Sequence, residues 1–234
     1  MMQPNETAGR KAGDAKPTRQ KIIGCPVVLE ALAPYLTVET ETQALDAGLH
    51  VRPESLRLEL QKVIDASGAN FSAVILAYGL CSGAADGITA GGCRLVIPKI
   101  DDCISLFLGS RQEYRRLVLA DPGTYYLTRG WIDAAITPFD DYQAMVARWG
   151  EKRAEYLMGI ILKNYKRLVF IRAEPGAGLE TYEVYTRKIA QKFNLRAEFM
   201  TGSADLMQKL VRGPWGDDFV VVPPGRTLTR KDFN

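Results

Sequence analysis

The chain has 234 residues, 47% hydrophobic and 24% charged, with a formal net charge of +3. This length suits one large α/β domain or two packed lobes, with an ample core. Acids and bases are interleaved rather than gathered into a nucleic-acid-binding stripe, and no apolar run approaches the roughly 20 residues of a membrane span.

The opening stretch, MMQPNETAGRKAGDAKPTRQ, lacks the hydrophobic centre of a signal peptide, so residues 1–20 read as a polar tail on a cytoplasmic protein. In that compartment the four cysteines are expected to be thiols or metal ligands rather than disulfides. The single histidine, His50, restricts the acid/base schemes available.

After the tail, Lys21 to Gly24 is expected as a short strand. Pro26 then opens a helix over Val27 to Tyr35. Residues 37–47 carry no clear pattern. From Pro53 the spacing of Leu56, Leu60, Val63 and Ile64 predicts a helix that Gly68 ends. Phe71 to Tyr78 is an unbroken apolar run, as in a strand buried on both faces. A glycine-rich loop follows, read as a mobile loop or lid, and then a second buried strand over Arg94 to Ile100. Asp101 and Asp102 are placed to cap a helix starting near Cys103, and Ser110 to Glu113 forms a capping box for its continuation. Thr124 to Leu127 reads as a strand, and Ala144 to Tyr165 as one long bridging helix. The last third alternates strand, helix, strand, helix, strand from Arg167 to Val222.

The expected fold class is therefore α/β with Rossmann-like parallel sheets, as two packed lobes or one large three-layer domain. The predicted divisions are a lobe at 21–140, a bridging helix at 141–165, a β-α-β-α-β lobe at 166–226 and a short tail at 227–234.

Cys25, Cys81 and Cys103 each follow a predicted strand, on the side where open parallel sheets bind ligands. Neighbouring strands lie about 4.8 Å apart, so adjacent strands would bring these thiols to one zinc ion or iron–sulfur cluster. His50 and Asp102 are the candidate catalytic groups, His50 also being a possible fourth ligand. Tyr78, Gly79 and Arg129 are the candidate cofactor-binding residues, with Arg129 suited to a carboxylate or phosphate. Cys93 precedes its strand and is expected to pack structurally. A metal-free alternative makes Cys103 or Cys81 a nucleophile with His50 as base, in a hydrolase or transferase acting on a small molecule. A third reading is an accessory protein for a methyltransferase system. The loop from Cys81 to Cys93 and the PGAG turn at 175–178 could each cradle an anion through backbone N–H groups, but read more simply as a loop and a turn.

The segments YGLC (78–81), VIPKIDDCISLFLGSRQEY (96–114), PGTYYLTRGW (122–131) and FVVVPPG (219–225) together resemble a bacterial and archaeal family, domain of unknown function 1638. The resemblance spans about Lys21 to Gly225. It implies cysteines at 25, 81 and 103 and the His50–Pro53 pair, with no counterpart for Cys93. Two departures stand out: TRGW replaces the family's more usual T-P-GW, and the loop at 82–92 is longer and richer in Gly and Ala. The resemblance implies a fold and a site but no settled reaction. It also implies an anaerobic one-carbon setting beside corrinoid-dependent methyl-transfer proteins, although no D-x-H-x-x-G cobalt-binding stretch is present.

Overall fold

The computed structural model describes residues 18–173 and 178–234; the expected polar tail falls almost entirely outside them, as does most of the 175–178 turn. The fold is α/β, built on two sheets. The first contains β1 (Gln20–Gly24), β2 (Thr40–Ala44), β3 (Ala73–Ala77), β4 (Arg94–Pro98) and β8 (Phe219–Val222), in the order β2-β1-β3-β4-β8. All its pairings are parallel except β4 with β8. The second is a parallel trio, β5 (Thr124–Leu127), β6 (Arg167–Arg172) and β7 (Arg196–Thr201), in the order β5-β6-β7.

The strands form where the sequence is apolar and bounded by turn residues. β3 is buried at every position, and β4 at every position but Arg94. Strand β2 is the exception. Its residues TETQA are all partly or fully exposed, so this edge strand is held by pairing with β1 rather than by its own apolar face. The order of the first sheet matters for function. The chain leaves β1 for β2 on one side and then crosses to β3 on the other, so a topological switch lies between β1 and β3. The crevice beyond the carboxyl ends of two such strands is where open α/β sheets bind ligands.

Helix α1 (Pro26–Leu32) starts at its proline as expected, and α2 (Pro53–Ser67) buries Leu56, Leu60 and Ile64. The predicted cap at Cys103 is present: Asp102 Oδ1 accepts from the Ile104 N–H at 2.9 Å, opening α3 (Ile104–Leu108). Ser110 caps α4 (Arg111–Ala120) by accepting from the Glu113 N–H, while the Glu113 carboxylate pairs with Arg116 instead of closing the box.

Three expectations are corrected. The long bridging helix is two helices, α6 (Pro138–Trp149) and α7 (Glu151–Ile161), broken at Gly150, whose φ of 81° is left-handed. The glycine-rich loop is packed, not a lid: Ala84, Ala85, Ile88 and Ala90 are buried, and the loop bonds to Arg226 and Leu228. The C-terminal β-α-β-α-β unit divides after β7. Helix α9 (Asp205–Arg212) buries Leu206, Met207, Leu210 and Val211 in the core of the first sheet, and β8 covers the exposed edge of β4. An unpaired edge would leave a row of backbone donors and acceptors without partners.

The remaining helices, α5 (Arg129–Asp133) and α8 (Leu179–Lys192), flank the second sheet, and α5 also meets α1. The joint between sheets is close. Gly202 leaves no room for a side chain, since a Cβ there would lie 2.2 Å from the Phe107 carbonyl oxygen. Helix α6 is fastened by a complete capping box at Thr137, a fully buried residue that also meets the Tyr185 hydroxyl at 3.1 Å. Thr137→Ala is expected to cost about 1–2 kcal/mol in urea denaturation.

Candidate functional site at the sheet switch point

β1 and β3 end in register, Gly24 opposite Ala77, so Cys25 and Tyr78 emerge side by side at the switch. The chain beyond β3 is then drawn towards the chain beyond β4. The Leu80 N–H donates to the Ile100 carbonyl at 2.8 Å and the Cys81 N–H to the Asp101 carbonyl at 3.0 Å. Gly79 permits this approach, because a Cβ there would stand 2.7 Å from the Ile100 oxygen. The clamp carries Cys81 alongside Asp102 and Cys103. The turn itself is left-handed at consecutive residues, with φ of 44° at Cys81, 57° at Ser82 and 94° at Gly83. Two successive L-residues in that region hold an unfavourable backbone that the surroundings must enforce.

The strands expected to neighbour one another do so, and Cys25 stands near enough to Cys81 and Cys103 for its thiolate form to raise the pKa of each. Cys25 is buried, while Cys81 and Cys103 retain some exposed surface. Even so, removal from water is the largest influence on every one. Burial raises the Cys25 pKa, countered by the Val28 and Val27 N–H groups at the start of α1. Burial pushes the Cys81 thiol up to about 12, opposed by the Gly79 N–H and reinforced by Asp102 and Cys25. Cys103 is driven well above its ordinary value by burial, then by Cys25, Cys81 and Asp102. As thiolates these groups would therefore repel one another in a poorly solvated place.

Tyr78 lies among them. It is 2% exposed, its hydroxyl has no hydrogen-bond partner among the described residues, and its pKa is raised by burial and then by Cys25, Cys81 and Cys103. Its ring packs 5.7 Å from that of His50. His50 Nδ1 is 3.0 Å from the Ala47 carbonyl oxygen, which can only accept, so Nδ1 is the donor and Nε2 is the ring nitrogen left for a ligand or proton. Asp102 is held by its Ile104 cap and by the Tyr114 hydroxyl at 2.5 Å, and burial raises its pKa despite both bonds.

A cleft of about 460 Å³ opens here between the two sheets, with Cys25, Cys103, His50 and Asp102 on one wall and Tyr126 and Trp131 on the other. Of the predicted site residues, the structure brings together Cys25, Cys81, Cys103, His50, Asp102, Tyr78 and Gly79. Arg129 stands apart, paired with Asp133 at 3.1 Å and facing Glu30. Cys93 is buried at the opposite end of the first sheet, near the Val74 N–H. Sequence reasoning missed Tyr114, on α4, and Tyr165, in the connection from α7 to β6, which line the cleft but carry no local signal of a site. Among the described residues, no group of three or more His, Cys, Asp or Glu side chains stands in a metal-holding arrangement.

A family model described as "Protein of unknown function (DUF1638)" matches residues 44–211, which include His50, Cys81, Asp102 and Cys103. The chain belongs to this family. No curated protein and no solved structure matches it. Among the described residues, no helix is long and apolar enough to cross a membrane.

Proposed function

We propose that this DUF1638 protein holds a soft metal centre, zinc or a [4Fe–4S] cluster, through Cys25, Cys81 and Cys103, and presents it to a small-molecule substrate in the cleft. The observation that supports this most is the meeting of three thiols and an unpartnered, buried Tyr78 hydroxyl at the switch point. Sulfur donors select zinc and iron–sulfur centres, and a cation among three desolvated thiols would turn their mutual repulsion into attraction. Three protein ligands leave one coordination position open, which supplies Lewis-acid chemistry. His50 resembles the histidines that serve metals in one respect: its far nitrogen is fixed by a backbone carbonyl, leaving Nε2 as a ligand or proton acceptor. Asp102, with its raised pKa, is suited to carry a proton, and Tyr114 orients it.

The metal-free nucleophile has less support. Burial raises the pKa of all three thiols, and among the described residues no hydrogen bond joins His50 to any of them.

Anaerobic purification with elemental analysis and a visible spectrum tests the proposal. A brown protein with about four irons supports a cluster, and a colourless one with about one zinc supports a mononuclear site. Protein that stays metal-free after incubation with both metals overturns the reading. The raised thiol pKa values add a sign. At neutral pH the free thiols hold their protons, so metal uptake must expel them and apparent affinity must climb with pH. Zinc titrations between about pH 6.5 and 8.5 should show that climb, and a flat profile counts against thiolate ligation.

A further inference from the structure

Beside the Cys81 turn lies a second cavity, of about 540 Å³, whose lining includes Arg52, Glu54, Arg57, Ser82, Gly83 and Arg230. We propose that it is a binding site for a phosphorylated small molecule carrying two or more negative charges. Three arginines line it, Arg52 and Arg57 from the start of α2 and Arg230 from the C-terminal segment, against the single carboxylate of Glu54. Among the described residues, none of the three side chains has a hydrogen bond or ion pair with another side chain; Arg230 is tied there through its backbone N–H, to Asp86. Elsewhere arginines are commonly paired, as Arg116 is with Glu113 and Arg172 with Glu183. Three arginine side chains lining one cavity without carboxylate partners offer an anion several charged donors at once, and their planar forks match phosphate oxygens.

Gly83 in the wall and Gly87 beside Arg57 leave room for the arginine side chains. A Cβ at Gly83 would lie 3.2 Å from a terminal nitrogen of Arg230, and one at Gly87 would lie 3.6 Å from a terminal nitrogen of Arg57. Both glycines have left-handed φ, 94° and 88°, so side chains are disfavoured there and the guanidinium groups lie against bare backbone. The cavity also sits at the start of α2, a 15-residue helix whose first turn has no side-chain cap. Its free N–H groups and dipole add to the attraction for an anion. The volume exceeds what one phosphate group fills and falls within the range of small-ligand pockets.

The assignment is independent of the thiol centre, although Ser82 and Gly83 line this cavity from the same turn that carries Cys81. The test is calorimetric titration with inorganic pyrophosphate, and separately with adenosine diphosphate, at low ionic strength. Binding is expected to weaken at least about tenfold in Arg57→Ala and in Arg230→Ala, to recover in part in Arg230→Lys, and to be unchanged in Arg212→Ala and Cys103→Ser. Tighter binding of adenosine diphosphate than of pyrophosphate would assign the site to a nucleotide, and the reverse to a bare diphosphate group. If neither probe binds the wild-type protein, or if the arginine variants bind as the wild type does, the proposal is overturned. Loss on Cys103→Ser alone would place the anion at the thiols and overturn it equally. All three arginines are solvent-exposed, so these variants are expected to fold.

Discussion

Cys81→Ser and Cys103→Ser are each expected to lose nearly all bound metal, while Cys93→Ser keeps it. Replacing one of three thiolates removes a ligand outright. The loss should exceed the roughly 10- to 100-fold that follows removal of an outer hydrogen-bonding partner. Cys25→Ser should behave like the first two, because Cys25 emerges beside Tyr78 at the end of β1. Cys93 is the informative control. It too is buried with a raised pKa, but it precedes β4 while Cys103 follows it, so the length of a five-residue strand, roughly 16 Å, lies between them. Elemental analysis of the four variants after anaerobic reconstitution decides the matter. Equal metal content in all four would sink the proposed centre.

Gly79→Ala should cost about 2–3 kcal/mol and displace the thiol of Cys81 as well. The added methyl would meet the Ile100 oxygen at 2.7 Å, the Ile100 Cγ1 at 2.9 Å and the Asp101 carbonyl carbon at 3.1 Å. Two of these are backbone atoms, which cannot swing aside as the end of a flexible side chain can. The bonds from Leu80 and Cys81 to the Ile100 and Asp101 carbonyls must then lengthen or break. Urea denaturation reads the first effect and metal content the second. Gly159→Ala is the reference. Gly159 sits within α7 with open space where a Cβ would go, so alanine there should be neutral or stabilise by up to about 1 kcal/mol. A Gly79→Ala protein as stable and as metal-rich as that reference would show that the clamp does not position Cys81.

The parts of this molecule that were legible in sequence are those where burial and chain direction coincide. The runs ending at Gly24, Ala77 and Pro98 announce themselves as central strands, and each is soon followed by a cysteine, so the thiol trio could be anticipated before strand order was known. What could not be read was pairing. The residues TETQA of β2 show no apolar face because an edge strand needs only its neighbour's backbone. Nothing in TYYL or FVVV says which sheet each joins, and both joined the sheet opposite to the one their sequence position suggested. The packed loop at 82–92 was misread because its buried residues are mostly alanines, which carry little apolar signal beside so many glycines. Tyr114 was missed because its role depends on reaching Asp102, twelve positions earlier, across the start of α3. Arg129, offered as an anion-binding group, is instead engaged by the carboxylates of Asp133 and Glu30.

The late return of β8 also has a bearing on biosynthesis. β4 is finished at Pro98, yet the strand that shields its flank does not begin until Phe219. At translation speeds of about 5–20 residues per second, that flank waits roughly 6 to 24 s on the ribosome. Throughout that interval the β4 edge lacks its partner strand, and pairing with a nascent neighbour is the hazard that so late a closure carries.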